Sequence, residues 1–343
     1  MPQLEGVDLS RMDPMASPNK MTPLVVRYGR ALPRIRGLLG GLAVLLVIST
    51  ARAETAPLVG SWWDARGHSV TNDEALDRLR DAPVILLGEV HDSEAIHQRQ
   101  VELFDSFEGP LVLALEQLDR GGEGRIDRLN AGSFENGRAR AQAGGFDFEG
   151  WGWKHYGPLF EWATEQGVAL WPLNLSREKA MAVAMADDTG WRDELDASER
   201  AWVDSIAPEL SLPDALQRGL VEVLEQSHCQ AISSAMSSRM VRAQVARDVL
   251  MAEAIMAARE SFPAHQIVAV MGNQHARLDR GVGYWLARVA DQRRPEVLSV
   301  GMVPINHLSA PPGADDAFDL RLIMPAVIRP DPCAPERGAE DGE

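Results

Sequence analysis

Cysteine is nearly absent: the chain has two, Cys229 and Cys333, in 343 residues. With no C-x-x-C spacing, a cysteine-based zinc or redox site has no support. An oxidising compartment would permit a bridge between the two cysteines, and the sequence leaves open whether they meet. Basic residues are also in deficit, 34 Lys and Arg against 50 Asp and Glu, for a net charge of −16. That balance argues against nucleic acid as a partner, because phosphate backbones are held by basic patches. The acidity itself needs no more explanation than solubility.

Long apolar runs are few, and the one that stands out lies at residues 38–48. Arg27, Arg30, Arg34 and Arg36 precede it, and Ala51-Arg52-Ala53 follows it. Basic, apolar and small-residue regions in that order make a secretory signal peptide. The run is short for a membrane span, so an uncleaved anchor is the lesser alternative. Met21 is an alternative start, since the residues before it add nothing that a signal needs. The expectation is a leader over residues 1–53 and a mature chain from near Glu54, periplasmic or secreted. No cysteine follows the cleavage site, which argues against a lipid anchor there. The stretch 331–343, rich in Pro, Gly and acid, reads as a disordered tail.

Two segments of the chain end alike. The runs at residues 84–91 and 267–275 are apolar and β-branched, and they close on Gly88-x-x-His91 and Gly272-x-x-His275. Such runs read as buried strands. Glycine allows a turn with positive φ or the close approach of another group. Each histidine then falls just past a strand's carboxyl end, where ligands bind in open α/β sheets. A third run, 111–115, leads into Glu116, a carboxylate that is costly to bury without a partner. We expect the two imidazoles and Glu116 to share one site. The alternative is that each is a hydrogen-bonded structural residue.

Between these motifs strands alternate with helices, which implies an α/β core with a mostly parallel or mixed central sheet flanked by helices. Thr71 or Asn72 is expected to cap a helix over 72–80, Asp92 or Ser93 a helix reaching 107, and Ser176 a third. The Gly-rich stretch 121–150 reads as a helix pair or a flap. Pro158 suits a helix's first turn. Further strands are expected at 168–173, 297–303 and 320–325. Residues 187–262 contain no convincing strand and read as a helical insertion in a single α/β domain spanning 54–330. His68, His228, His265 and His307 read as structural or surface residues.

At these residues the chain resembles the ChaN-like haem-binding proteins of the Tiki/TraB superfamily. The resemblance rests on Leu87-Gly88-Glu89-Val90-His91-Asp92 followed by His97 and Gln100, on Leu115-Glu116, on Trp153 through Tyr156-Gly157-Pro158, on Leu173-Asn174, and on Met271-Gly272-Asn273-Gln274-His275. It implies a haem-binding protein of haem or iron uptake at the cell envelope. It also implies haem held at a subunit interface of a homodimer, and a tyrosine ligand supported by a histidine. On that likeness Tyr156 is the expected iron ligand, since phenolate suits ferric haem. His155, Trp153 and His97 then join it at the cofactor, and Trp151 and Trp162 line the porphyrin. Without a C-x-x-C-H, haem attachment is non-covalent. Peripheral association with the envelope is a further expectation.

Other members of that superfamily imply a second reading, a metal-dependent hydrolase. His91, His275, Glu89 and Glu116 would bind manganese, cobalt or zinc. Glu89 or Glu116 would serve as general base.

Overall fold

The structure is a computed structural model that describes residues 58–122, 124–187, 190–227, 229, 232–308, 312–329 and 333. The expected leader, His228 and, apart from Cys333, the expected tail lie outside the described residues.

A short hairpin opens the described chain, β1 (Trp62–Asp64) and β2 (Ser69–Val70). Helix α1 (Asn72–Asp81) follows, capped by the Thr71 side chain accepting from the Glu74 amide. Strand β3 (Val84–Glu89) leads to α2 (Glu94–Phe104), capped by Ser93. Strand β4 (Leu111–Asp119) is followed by the pair α3 (Arg125–Asn130) and α4 (Gly137–Ala143), so the Gly-rich stretch is a helix pair. Arg140 fastens that pair, its buried guanidinium donating to the Leu129, Ala163 and Val168 carbonyls and to Asn130 Oδ1. Helix α5 (Trp153–Glu165) starts five residues before Pro158, and the proline is carried inside it on the exposed side. There the ring meets solvent, and the missing N–H costs one hydrogen bond.

Strand β5 (Ala169–Asn174) and α6 (Arg177–Met185), capped by Ser176, come next. The expected insertion is helical, comprising α7 (Ala197–Ile206), α8 (Asp214–Ser227) and α9 (Ser234–Ser261). Strand β6 (Gln266–Gly272) runs into the single turn α10 (Asn273–Ala276), then α11 (Val282–Leu286). Strands β7 (Val297–Pro304) and β8 (Leu320–Met324) complete the sheet.

The strand order is β2-β1-β8-β7-β3-β6-β4-β5. The six strands from β8 to β5 are parallel, and β1 and β2 join antiparallel at one edge. This is the mixed, mostly parallel sheet that the alternation of elements predicts. The hairpin β1–β2 is the part the sequence reading missed.

Strand periodicity sorts the core into two faces. Val84, Leu86, Val112, Ala114, Ile267 and Ala269 pack under α9 and the insertion. Ile85, Leu87, Leu113, Leu115, Val268 and Val270 pack under α1, α2 and α5. With both faces covered, β3, β4 and β6 read as continuous apolar runs. Their polar residues appear where the runs end.

Candidate functional site

Strands β3 and β6 are neighbours in register, Glu89 opposite Gly272, and β4 lies on the other side of β6. That order brings His91, His275 and Glu116 to one rim at the carboxyl ends of the strands. The two glycines serve each other's motifs. A Cβ on Gly88 would meet Asn273 Oδ1 at 2.4 Å, and one on Gly272 would meet His91 Nε2 at 2.9 Å. Neither glycine has a positive φ, so close approach, not a turn, is what requires them.

Glu89 is the hub of one half of the site. Its carboxylate is fully buried and accepts from His91 Nδ1 (2.9 Å), His97 Nε2 (3.1 Å), Gln100 Nε2 (3.2 Å), Gln117 Nε2 (3.1 Å) and the Tyr156 hydroxyl (2.6 Å). Burial alone would raise its pKa, but the hydrogen bonds from His91 and His97 prevail and hold it well below the carboxylate range. For His91, burial pulls downward. The Glu89 hydrogen bond, with the charges of Glu116 and Glu89, outweighs it and raises the imidazole to about 9. Tyr156 is driven the other way. Burial, then the Glu89 charge and hydrogen bond, lift its hydroxyl far above the phenol range.

The second half is a chain of three. His275 Nδ1 donates to Asp248 Oδ1 at 2.5 Å, and its Nε2 lies 3.4 Å from Glu116 Oε1. Glu116 Oε2 accepts the Gly272 amide at 2.7 Å. Burial opposes charge on His275, but Glu116 and Asp248 raise its pKa. Burial raises Asp248 to about 6 despite the attraction of His275.

Two cavities open on this rim. One, of about 610 Å³, is lined by Glu89, His91, Gly272 and His275 on the sheet side, by Leu220, Val223 and Leu224 of α8, and by His307 and Arg329. The other, of about 370 Å³, shares Gln244 and His275 with it and adds Glu116, Asp119, Asp147, Trp151, Arg177 and Arg247. Both volumes fall in the range of small-molecule sites. His91 stands between Trp151, whose ring centroid is 5.1 Å away, and the larger cavity. Its side chain is 44% exposed, and Nδ1 is spent on Glu89.

The expected cofactor cluster is placed differently. Tyr156 has no exposed surface, and its hydroxyl is tied to Glu89. An iron ligand needs an accessible, deprotonable oxygen, and in this arrangement the phenol is covered and donates to a carboxylate. His97 is equally buried with Nε2 on Glu89. Trp153 packs on Phe146, Phe148 and Phe160, and His155 lies beside His97. None of these four lines the larger cavity. Trp162 is farther still, bonded through Nε1 to Asp105 near the start of β4.

The expected metal set of His91, His275, Glu89 and Glu116 is brought together at the rim but does not form a metal cage. Among the described residues no three His, Cys, Asp or Glu side chains are placed to hold an ion. The carboxylates are turned to protein donors, which leaves no shared vertex.

Asp248, Gln117, Gln244 and Arg247 belong to the site and escaped the sequence reading. Asp248 did leave a signal: it is an acid inside the apolar run of α9, with Val245, Ala246, Val249 and Leu250 around it. A carboxylate there must find a buried partner. His68 is paired with Asp64 at the hairpin, and His265 lies against Phe262. His307 lines the larger cavity, which its reading as structural or surface did not anticipate.

Cys229 and Cys333 form a disulfide, which settles the question the sequence left open.

A family model described as haem-binding uptake, Tiki superfamily, ChaN matches residues 75–286. No curated protein matches the chain. Among solved structures, cofacial haem binding to ChaN of Campylobacter jejuni superposes with a TM-score of 0.59 at 17% identity, covering 76% of this chain and 95% of that one. At that identity the likeness speaks for the fold alone. A mutant of the erythromycin esterase EreC in its open conformation (TM-score 0.39, 11% identity, covering 80% and 99%) superposes more loosely. So does the type III effector HopBA1 (TM-score 0.41, 13% identity, covering 74% and 93%). Neither carries an argument.

Proposed function

The chain belongs to the ChaN family of haem-binding uptake proteins in the Tiki superfamily, and on that premise we propose that it is an exported protein that binds haem non-covalently for haem or iron handling at the cell envelope. One observation carries the binding reading. The larger cavity joins an apolar wall, Leu220, Val223 and Leu224, to a half-exposed imidazole backed by a carboxylate.

Metal-binding histidines characteristically give their second nitrogen to a carboxylate, which fixes the ring and raises its basicity. His91 has that arrangement, with Nδ1 on Glu89 and the opposite nitrogen, Nε2, left for a ligand. His91, not Tyr156, would therefore hold the iron of a bound haem. When bound, haem would supply an iron able to accept an imidazole nitrogen. To hold an iron, the imidazole would have to give up any proton on Nε2. Glu89 orients the ring through Nδ1, and Leu220, Val223 and Leu224 of α8 would give a bound haem an apolar wall.

Export rests on the leader pattern before residue 54. A homodimer closing the cavity, and peripheral contact with the envelope, complete the reading. Among the described residues no donor cage supports the divalent-metal hydrolase alternative.

Titration of the purified chain with hemin is expected to give a Soret band. His91→Ala should weaken binding at least about tenfold, while Tyr156→Phe retains it. Absence of the band in the wild-type chain overturns the proposal. Export is checked by the mass of the chain recovered from the periplasm, which should begin near Glu54.

A further inference from the structure

The carboxyl ends of the strands carry the rim, and their opposite ends carry a separate cavity. It holds about 580 Å³, within the range of small-molecule sites. It lies where β4 and β5 begin, at Leu111 and Ala169. No residue that lines it lines either cavity of the rim.

Its walls are aromatic. Phe104 and Trp162 are buried with ring centroids 5.0 Å apart, and Phe107 and Phe262 are half-buried. Its field has one sign. Among the described residues that line it, Asp105 is the one carboxylate, and none is Lys or Arg. The Trp162 indole N–H holds Asp105 Oδ1 at 2.7 Å. The second carboxylate oxygen has no hydrogen-bond partner among the described residues. Asp105 is itself exposed, so the charge is open to a ligand.

Three helices also end on this cavity. The C-caps of α2, α5 and α9 are Asp105, Gln166 and Phe262, and all three line it. A helix C-terminus carries roughly half a negative charge. Neither α2 nor α5 has a basic residue in its last turn to offset this. The nearest cations lie outside the lining: Arg259 in the last turn of α9, and Arg80, which donates to the Ser106 carbonyl.

A carboxylate and three helix ends repel an anion and attract a cation. Aromatic faces do the same, most strongly where the cation is desolvated. A bare metal ion would gain little from such walls, because it seeks oxygen ligands. An ammonium with an apolar body uses both the charge and the rings. We propose that this cavity binds a small organic cation, an alkylammonium with no acid group of its own. Its charge lies toward Asp105 and the helix ends, and its apolar body lies against the aromatic walls. A zwitterion such as a phosphocholine headgroup brings an anion that the same groups repel. The proposal is independent of haem at the rim.

The test titrates the purified chain by calorimetry with choline and with 3,3-dimethyl-1-butanol, its neutral carbon isostere. Choline is expected to bind saturably, about tenfold tighter than the isostere, and less tightly at high salt. Phosphocholine is expected to bind more weakly than choline. Asp105→Asn keeps an acceptor for Trp162 and removes only the charge. Phe107→Leu removes a half-buried ring. Each is expected to weaken choline by about fivefold to tenfold, with the circular dichroism spectrum unchanged. Equal affinity for choline and the isostere overturns the proposal. So does the absence of saturable choline binding at millimolar concentration, or wild-type choline affinity in either variant. Phosphocholine binding as tightly as choline overturns the exclusion of an acid group.

Discussion

Gly272 lies under the imidazole of His91, close enough that a methyl group on it would stand 2.9 Å from Nε2. The glycine of one Gly-x-x-His motif is therefore the floor on which the other motif's histidine rests. Gly272→Ala should displace the ring from its hydrogen bond to Glu89 at a stability cost of roughly 1–3 kcal/mol, as overpacking does. The expected reading is a lower hemin affinity with the fold intact by circular dichroism. Wild-type affinity in this variant would mean that the floor has no functional part.

Glu89→Gln replaces a buried acceptor with a group that must also donate. All five donors facing it would lose charge assistance, and the two or three on the replaced oxygen would meet a competing N–H. Breaking a buried ionic cluster costs roughly 3–5 kcal/mol, so urea denaturation should show a large fall in the midpoint. A loss under about 1 kcal/mol would show that the cluster relaxes easily.

In the ligand-free chain, His91 gives a pH signature. Its pKa is raised from the ordinary 6.5 to about 9, so the folded state binds this proton more tightly than the unfolded state. Its stabilising contribution is complete below about 6.5 and is lost as the pH rises through about 9. The side chain's 44% exposure tempers the effect through solvent screening. Unfolding free energies measured across this window should fall more steeply in the wild type than in His91→Gln. Parallel profiles would contradict the assignment.

Asp248 and His275 form a buried pair at 2.5 Å. Asp248→Leu and His275→Leu should each be strongly destabilising, because either one strands a buried partner. The double variant should cost less than the sum, with a coupling of about 1–3 kcal/mol in a double-mutant cycle. Additivity within about 0.5 kcal/mol would show that the two groups act independently.

The strands that carry the site were legible because β3, β4 and β6 are buried on both faces and leave uninterrupted apolar runs. The carboxyl-end location of His91, His275 and Glu116 followed from that reading. The hairpin at Trp62–Asp64 and Ser69–Val70 was not legible. It is too short for periodicity to register, and it is fixed by pairing with β8, more than 250 residues away. The burial of Tyr156 against Glu89 was not legible for a related reason. Its residue type and neighbourhood suggested a ligand, but whether a phenol faces solvent or a carboxylate depends on how α5 sits over β3.

The sequence by itself determined an α/β chain whose chemistry lies where apolar runs stop, and it marked both histidines and both glutamates. Local pattern carries that much, because burial is written into residue type and spacing. Only the tertiary structure decided which groups are spent on one another. It made Glu89 a hub, Tyr156 a donor and His91 the accessible imidazole, brought Asp248 to His275, and joined Cys229 to Cys333. Those outcomes depend on distances between segments remote in the chain, and strand order and helix placement set such distances.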